Sequence, residues 1–549
     1  MNVAVSQLNP TVGDIQSNKE KIIEHINRAT GKGADLIVFG EMALSGTPTY
    51  DIVNMTDFVD RCYSALSDIA EAAANIDVLV GMPTVSGDDT FNSVAYIREG
   101  KVVDFFSKAM PFSRDELPYY AGIDSPSFFD ENESQTDELP EHIITVDGYK
   151  MLIMIGDDLQ FINSLQCFDT PRTKPDFIMH LAARPYSHGA LEEDIELLSS
   201  VAKENEVPLV SVNLVGGNTD IVYYGSSVIF NKQGQMIKRL KNFEEDFEIT
   251  DLSSENIRRH KSINLPVQSA SSKVRHTYKA IALGVKDYFG KSGFTSACLG
   301  LSGGIDSAVV AAIAVDVLGA NNVRVLMMPS QFSSGHSVTD AMKLAENLGI
   351  KCEKVEIEPI YNSFMKGLEP IFQGLPFSLA EENLQARIRG TLMMAISNKF
   401  GNLLLNTSNK SEIAMGYGTL YGDTNGALSI LGDVYKTEVY ALAEYINHKG
   451  EVIPRSIIEK EPSAELREGQ KDSDSLPVYD ILDGILYRLI EEGMSLMEVA
   501  AEGYDMEVVS KVSKLLKASE HKRYQLAPAL RVSKCTLGKD RVIPIVSRY

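Results

Sequence analysis

Short apolar runs alternate with helix-length amphipathic stretches through the first half of the chain. The runs Val3 to Leu8, Asp35 to Phe39, Asp77 to Val80, Ser93 to Ile97, Met151 to Ile155, Asp176 to Leu181 and Pro208 to Val212 read as strands. Between them, Gln16 to Ala29 and Phe58 to Ala74 carry helical spacing, so a layered α/β domain is expected. Ser93 to Ile97, then Glu99-Gly100, then Val102 to Phe106 reads as a hairpin, which makes a mixed sheet the expectation. From about Glu244 to Lys273 the pattern turns polar and charged and ends in Pro and Ser, the best linker candidate in the chain. The expected division is residues 1–245, a linker over 246–270, and 271–549. After the linker come a long helix, Val274 to Phe289, and an apolar run, Thr295 to Leu301. That run leads into Ser302-Gly303-Gly304-Ile305-Asp306-Ser307 and a buried helix ending at Gly319.

Length and charge narrow this picture. At roughly 100 to 200 residues per domain, 549 residues exceed one core. With 52 Lys+Arg against 75 Asp+Glu the formal charge is −23, which disfavours a surface built for nucleic acid or anionic lipid. Five cysteines, Cys62, Cys167, Cys298, Cys352 and Cys535, are scattered without CxxC spacing and read as buried thiols in a reducing compartment. The amino terminus lacks a basic region followed by an apolar core, and no later stretch approaches the ~18 apolar residues a membrane span requires. A cytoplasmic enzyme is the expectation.

Strand, glycine-rich turn and helix together aim backbone N–H groups and a helix N-terminus at an anion. An isolated Ser-Gly-Gly also occurs in plain turns. Here the loop lacks the Lys of GxxxxGK[ST] and instead sets two hydroxyls, Ser302 and Ser307, around Asp306. A carboxylate beside a polyphosphate is tolerable with a divalent cation between them, which suggests Mg²⁺ at Asp306. The run Gly300-Leu301-Ser302-Gly303-Gly304-Ile305-Asp306-Ser307 resembles the loop of the ATP pyrophosphatases, which adenylate a substrate oxygen and release pyrophosphate.

Within that group the chain resembles NAD synthetase. Segments carrying the likeness, in order, include MPSQFSS (Met328 to Ser334), ENLQARIRG (ending at Gly390), LLLNTSNKSE (Leu403 to Glu412) and GYGTLYGD (Gly416 to Asp423). They continue with DVYKT (Asp433 to Thr437), PSAEL (Pro462 to Leu466), GQKDSDSLP (Gly469 to Pro477) and EHKRY (Glu520 to Tyr524). The resemblance implies a parallel-sheet ATP-pyrophosphatase domain, of the adenine nucleotide α-hydrolase-like kind. In it Gly300 to Ser307, Thr407, Lys436 and Ser463 would contact ATP. Asn383, Arg387, Glu412, Asp423 and Lys522 would bind deamido-NAD, and Asp306 and Glu412 would share Mg²⁺. Catalysis would rest on Asp306, Glu412 and Lys436. Taken alone, Lys436 or Arg387 would read as a solvated surface charge and Asn383 as a helix cap.

The first 245 residues resemble, through FGEMALSG at Phe39 to Gly46, the nitrilase-like glutaminase domain fused to NAD synthetases that use glutamine. That likeness implies an α-β-β-α sandwich and a Glu, Lys, Cys triad in which the thiol attacks the amide. Glu41 matches the base and Lys108 matches the lysine approximately, with the residues after it shifted and shortened. Where the pattern places Cys, after the strand, this chain has Ile155-Gly156-Asp157-Asp158-Leu159-Gln160. Glycine has no side chain to form a thioester. Cys167, eleven residues downstream, reads as an ordinary packed thiol. Glu41 and Lys108 would then persist as a buried or partly buried ion pair with a structural role. The expectation is an NAD synthetase fed by free ammonia and assembled as a homo-oligomer. The alternatives are a working glutamine-dependent enzyme or an amino-terminal module that binds a ligand or partner.

Overall fold

A computed structural model describes residues 1–109, 116, 119–120, 142–164, 174–253, 262–264, 269–470, 472–474 and 476–547. The chain divides into two units, Met1–Ser269 and Ala270–Tyr549. Alternating runs in the first unit become β1 (Asn2–Gln7), β2 (Leu36–Phe39), β3 (Asp77–Ser86), β4 (Asp89–Arg98) and β5 (Lys101–Ser107). They continue as β6 (Ile143–Val146), β7 (Tyr149–Ile155), β8 (Phe177–Ala182), β9 (Leu209–Asn213), β10 (Val215–Asn218) and β11 (Ile221–Tyr224). The last three are β12 (Val228–Phe230), β13 (Met236–Arg239) and β14 (Asp246–Asp251).

One sheet has the order β14-β1-β2-β3-β4-β5 and the other β13-β12-β9-β8-β7-β6. Both are mixed: β1, β2 and β3 run parallel, as do β7, β8 and β9, and the outer strands are antiparallel. The period of two explains the layering. Val3, Val5, Leu36 and Val38 pack with Ile153, Ile155, Met179 and Leu181 in one core between the sheets. Ala4, Ile37, Phe39, Val78 and Val80 turn the other way, onto helices Ile15–Gly31 and Thr56–Ala72. Helix Ala190–Glu204 lies against β9 and β12, completing the α-β-β-α arrangement. Truncating a fully buried residue of the inner layer such as Ile153 to Ala costs about 2–5 kcal/mol.

The hairpin at Glu99-Gly100 forms as the pattern predicts. Both residues have positive φ, 51° and 75°, which is the turn that matches the right-handed twist of two strands. The expected linker differs from what forms. Its first residues are β14, an edge strand pairing antiparallel with β1 from Asn2↔Asp251 to Gln7↔Asp246. A polar, one-sided edge strand carries too few apolar residues to read as one in sequence. The helix that opens the second unit begins at Ala270.

That unit is built on β15 (Ala297–Gly300), β16 (Val323–Met327), β17 (Cys352–Lys354), β18 (Leu403–Asn406) and β19 (Leu428–Ser429). Its sheet order is β17-β16-β15-β18-β19, with every pairing parallel. Helix Ile305–Leu318 is apolar almost all round and buried over Ala308–Ala314, because helices Ala270–Ser292, Gly335–Leu348 and Lys436–Ile446 pack around it. The chain leaves β15 toward β16 on one side and returns through β18 on the other. Such a reversal opens a crevice at the carboxyl ends of the strands, where ligands bind in open α/β sheets. Among the described residues no helix is long and apolar enough to cross a membrane.

Candidate functional site

At the carboxyl end of β15 the chain turns through Leu301–Gly304 into helix Ile305–Leu318. Gly303 has φ of +76°, and a Cβ there would meet Ser337 O at 2.3 Å, so only glycine fits this approach. The two loop hydroxyls brace each other: Ser302 Oγ lies 3.0 Å from Ser307 Oγ, and Gly304 N donates to Ser302 Oγ at 3.2 Å. Asp306 stands in the first helical turn. Its Oδ1 accepts from Asn409 Nδ2 at 2.9 Å, and its Oδ2 pairs with Lys436 Nζ.

Asn409 follows β18 and caps helix Lys410–Met415, accepting from Glu412 N at 3.0 Å while Glu412 Oε2 accepts from Asn409 N at 3.4 Å. This reciprocal cap fixes Glu412 close to Asp306. Lys436, buried at the start of helix Lys436–Ile446, reaches Glu412 Oε1 at 3.6 Å, with the Tyr479 ring centre 5.4 Å from its Nζ. Burial and the Asp306 charge push the Glu412 carboxyl up to about 8. Burial works against the Lys436 charge, but Asp306 and Glu412 together hold its pKa above the ordinary lysine value.

These groups open on a cavity of about 570 Å³. Gly300, Leu301, Ser302, Gly304, Ile305, Asp306 and Ser307 line it, together with Thr407, Glu412, Lys436, Ser463, Asn383, Asp423 and Lys522. Gly303 is not among the lining residues and serves as the pivot of the loop. Arg387 does not line it either. It is exposed, with Nε donating to Leu420 O at 3.2 Å. Asn383 is no helix cap: Ser378 caps helix Leu379–Phe400, and Asn383 Oδ1 accepts from Thr419 Oγ1 at 2.7 Å. Ser463 Oγ donates to Gln470 O at 2.5 Å, and Lys522 Nζ donates to Gly416 O and Gly418 O at 2.7 Å each. Asp423 Oδ1 accepts from Thr419 N at 2.6 Å.

Asn409, Tyr479, Glu465, Asp472 and Arg389 also belong here, and none was singled out from the sequence. Asn409, Arg389, Glu465 and Asp472 lie inside segments that carry the resemblance, which was their only signal, and Tyr479 lies just beyond one. Among the described residues no three His, Cys, Asp or Glu side chains cluster as a self-sufficient metal site. The Asp306 and Glu412 oxygens are nonetheless hard donors whose mutual repulsion a divalent cation would relieve, so the pair fits Mg²⁺ completed by substrate phosphates.

In the first unit a second carboxylate–lysine cluster forms at the carboxyl ends of β2, β5 and β7. Glu41 Oε1 accepts from Asn92 Nδ2 at 2.7 Å and pairs with Lys108 Nζ at 3.1 Å, while Oε2 accepts from Ala183 N at 2.9 Å. Lys108 also holds Glu116 Oε1 at 2.9 Å, a partner the sequence reading missed. Both Glu41 and Lys108 are buried. Gly156 directly follows β7 with φ of +52°, and a Cβ there would lie 2.8 Å from both Glu41 Oε2 and Lys108 Nζ. A strand, a turn residue at positive φ and then a helix make the backbone shape that displays a nucleophile. Here it displays a hydrogen atom.

Gly156 O is 2.9 Å from His180 Nε2, and burial, aided by Arg184, lowers the His180 pKa to about 4. The cysteines are not uniformly buried: Cys62 and Cys298 are, whereas Cys352 and Cys535 are half-buried. Burial pushes the Cys62 and Cys298 thiols up to about 12 and Cys535 to about 11, far from the thiolate form. Cys167 and the residues just after Ala109 lie outside the described residues.

Comparison with known proteins follows the same division. Residues 2–262 match the carbon-nitrogen hydrolase family and residues 277–526 the NAD synthase family. A glutamine-dependent NAD(+) synthetase from Synechocystis sp. is 41% identical over 566 aligned residues, spanning 100% of this chain and 99% of the relative. The protein of that name from Acinetobacter baylyi is 38% identical over 550, spanning 100% and 98%. The structure of glutamine-dependent NAD+ synthetase from Acinetobacter baumannii in complex with ADP superposes with a TM-score of 0.76 at 36% identity, covering 99% of this chain and 98% of that one. One from Cytophaga hutchinsonii superposes at 0.84 with 19% identity, covering 100% and 98%, a likeness of fold.

Proposed function

The chain belongs to the glutamine-dependent NAD synthetase family, and from that premise we propose that it amidates deamido-NAD to NAD⁺ with ATP, using free ammonia as the nitrogen source. Synthesis of NAD⁺ is supported by the single cavity that gathers the glycine loop, Asp306, Glu412 and Lys436. A carboxylate is a poor electrophile, so activation comes first: the nicotinate oxygen attacks the α-phosphorus of ATP, and pyrophosphate leaves. Loop N–H groups and the N-terminus of helix Ile305–Leu318 face the phosphates, and Lys436 offsets their charge. Asp306 and Glu412 would hold Mg²⁺, which when bound supplies further charge neutralisation on the departing pyrophosphate. Neutral ammonia then attacks the acyl-adenylate carbonyl and AMP leaves. The acidic lining gives ammonium a place to shed its proton.

Two observations divide over the source of ammonia. The relatives are named as glutamine-dependent and match from end to end, which favours glutamine. Gly156 favours free ammonia: the position that faces Glu41 and Lys108 offers no atom to attack an amide, and the described thiols are held protonated. The test supplies the purified chain with ATP, Mg²⁺, deamido-NAD and either ammonium or glutamine freed of ammonia. NAD⁺ with ammonium alone is expected. Comparable NAD⁺ with glutamine would overturn the ammonia reading and direct attention to Cys167.

A further inference from the structure

Four described cations line the synthetase cavity: Arg389, Lys436, Lys460 and Lys522. Three are engaged by the protein. Lys436 is shared by Asp306 and Glu412, Lys460 by Ser337 and Glu465, and Lys522 donates to two backbone carbonyls. Arg389 is different. Its Nε donates to Met328 O at 3.0 Å, and among the described residues its Nη atoms have no hydrogen-bond partner and it has no ion pair. Asp423 and Glu465 act on it only as more distant charges, while burial lowers its pKa below the usual arginine value.

A half-buried guanidinium on the cavity wall whose fork of donors is not engaged by the protein is free to bond a ligand there. The substrates of this cavity are polyanions, and the cavity wall is otherwise rich in carboxylates: Asp306, Glu412, Asp423, Glu465 and Asp472. A planar fork matches the paired oxygens of phosphate or carboxylate better than an ammonium does. Position on the helix explains why Arg389 and not Arg387 has this role. At about 100° per residue the two side chains leave helix Leu379–Phe400 on opposite faces, and Arg389 is the one that lines the cavity.

Resting on the NAD synthetase reading, we infer that Arg389 is a substrate-binding residue whose Nη fork holds an oxyanion of a bound nucleotide. The test titrates the full chain calorimetrically with ATP and, separately, with deamido-NAD in the presence of Mg²⁺, beside steady-state kinetics on ammonium. Arg389→Met is expected to weaken one nucleotide about tenfold to a hundredfold and to raise its KM in step. Arg389→Lys, which keeps the charge and loses the fork, falls between Arg389→Met and the unaltered chain. Loss confined to ATP identifies the triphosphate as the anion held, and loss confined to deamido-NAD identifies the dinucleotide. Lys399→Met, exposed on the same helix, is expected to bind both normally.

Both affinities within about twofold of the unaltered chain, with or without a fall in kcat, would overturn the inference. If Arg389→Met fails to fold, normal binding by Arg389→Lys would overturn it equally. Should the unaltered chain form no NAD⁺, the reading beneath fails, while the titrations still decide whether Arg389 holds a nucleotide.

Discussion

Two clusters in this molecule share one recipe, a buried lysine between two carboxylates. In the second unit Lys436 sits between Asp306 and Glu412, on the wall of a 570 Å³ cavity. In the first, Lys108 sits between Glu41 and Glu116, and its neighbour across the site is a glycine. Charge and burial are alike; what separates them is what the charges face. The Lys436 trio faces room for a substrate, and among the described residues the Lys108 trio faces the backbone of Gly156, which has no side chain. A catalytic constellation therefore consists of charges plus the atom they act on.

The sharpest way to break this comparison is to disable each trio in turn. Asp306→Ala is expected to lower NAD⁺ formation by about 10²- to 10³-fold with any nitrogen source, whereas Glu41→Gln should leave the ammonium-driven rate within about twofold in steady-state assays of protein that remains folded. Stability should show the opposite emphasis for the first unit. Lys108→Met leaves Glu41 and Glu116 buried without their cation, which costs about 3–5 kcal/mol, read as a fall in chemical-denaturation midpoint. Little change there would mean that the trio is no longer structural.

Gly156→Cys probes the glycine itself. The new Cβ would lie 2.8 Å from Glu41 and Lys108 in a backbone of positive φ, for about 1–3 kcal/mol of destabilisation, and glutamine use is not expected to return. Robust glutamine-driven synthesis by that variant would mean that the site had kept everything except its thiol.

The smallest effect is a dependence on pH. His180 titrates near 6.5 when unfolded and about 4 when folded, so between those values the unfolded chain binds more protons. Its contribution is full above about 6.5 and is lost as the pH falls through 4. His142, lowered to about 4 by burial, acts in the same direction. Melting curves from pH 7.5 to 4.5 should show a decline that His180→Gln makes shallower; an unchanged slope would remove His180 from the account.

Much of this was legible in the sequence because local chemistry forced it. Glu99-Gly100 could close a hairpin, and Ser302 to Ser307, with an apolar run before it and a helical pattern after it, read as a strand-to-helix turn, as β15 and its following helix show. β14 was not legible, since an edge strand with one wet face shows the same polarity as a linker. The sequence reading named Arg387 as the binding arginine, whereas the residue that lines the cavity is Arg389. Both are basic residues in one segment, and the choice depends on the rotation of a helix whose apolar residues are spread round its axis. Glu116 was missed because its partnership with Lys108 depends on the path of the chain between them.

Gly156 also bears on heredity. Glycine and cysteine codons can differ by a single base, so the genetic distance from this glycine to a thiol is short. The physical route is longer, because Glu41 and Lys108 crowd the space a side chain would need. A first mutation to cysteine would meet a folding penalty before any catalytic gain. Two charged neighbours thus place a physical barrier at a position where the genetic code places almost none.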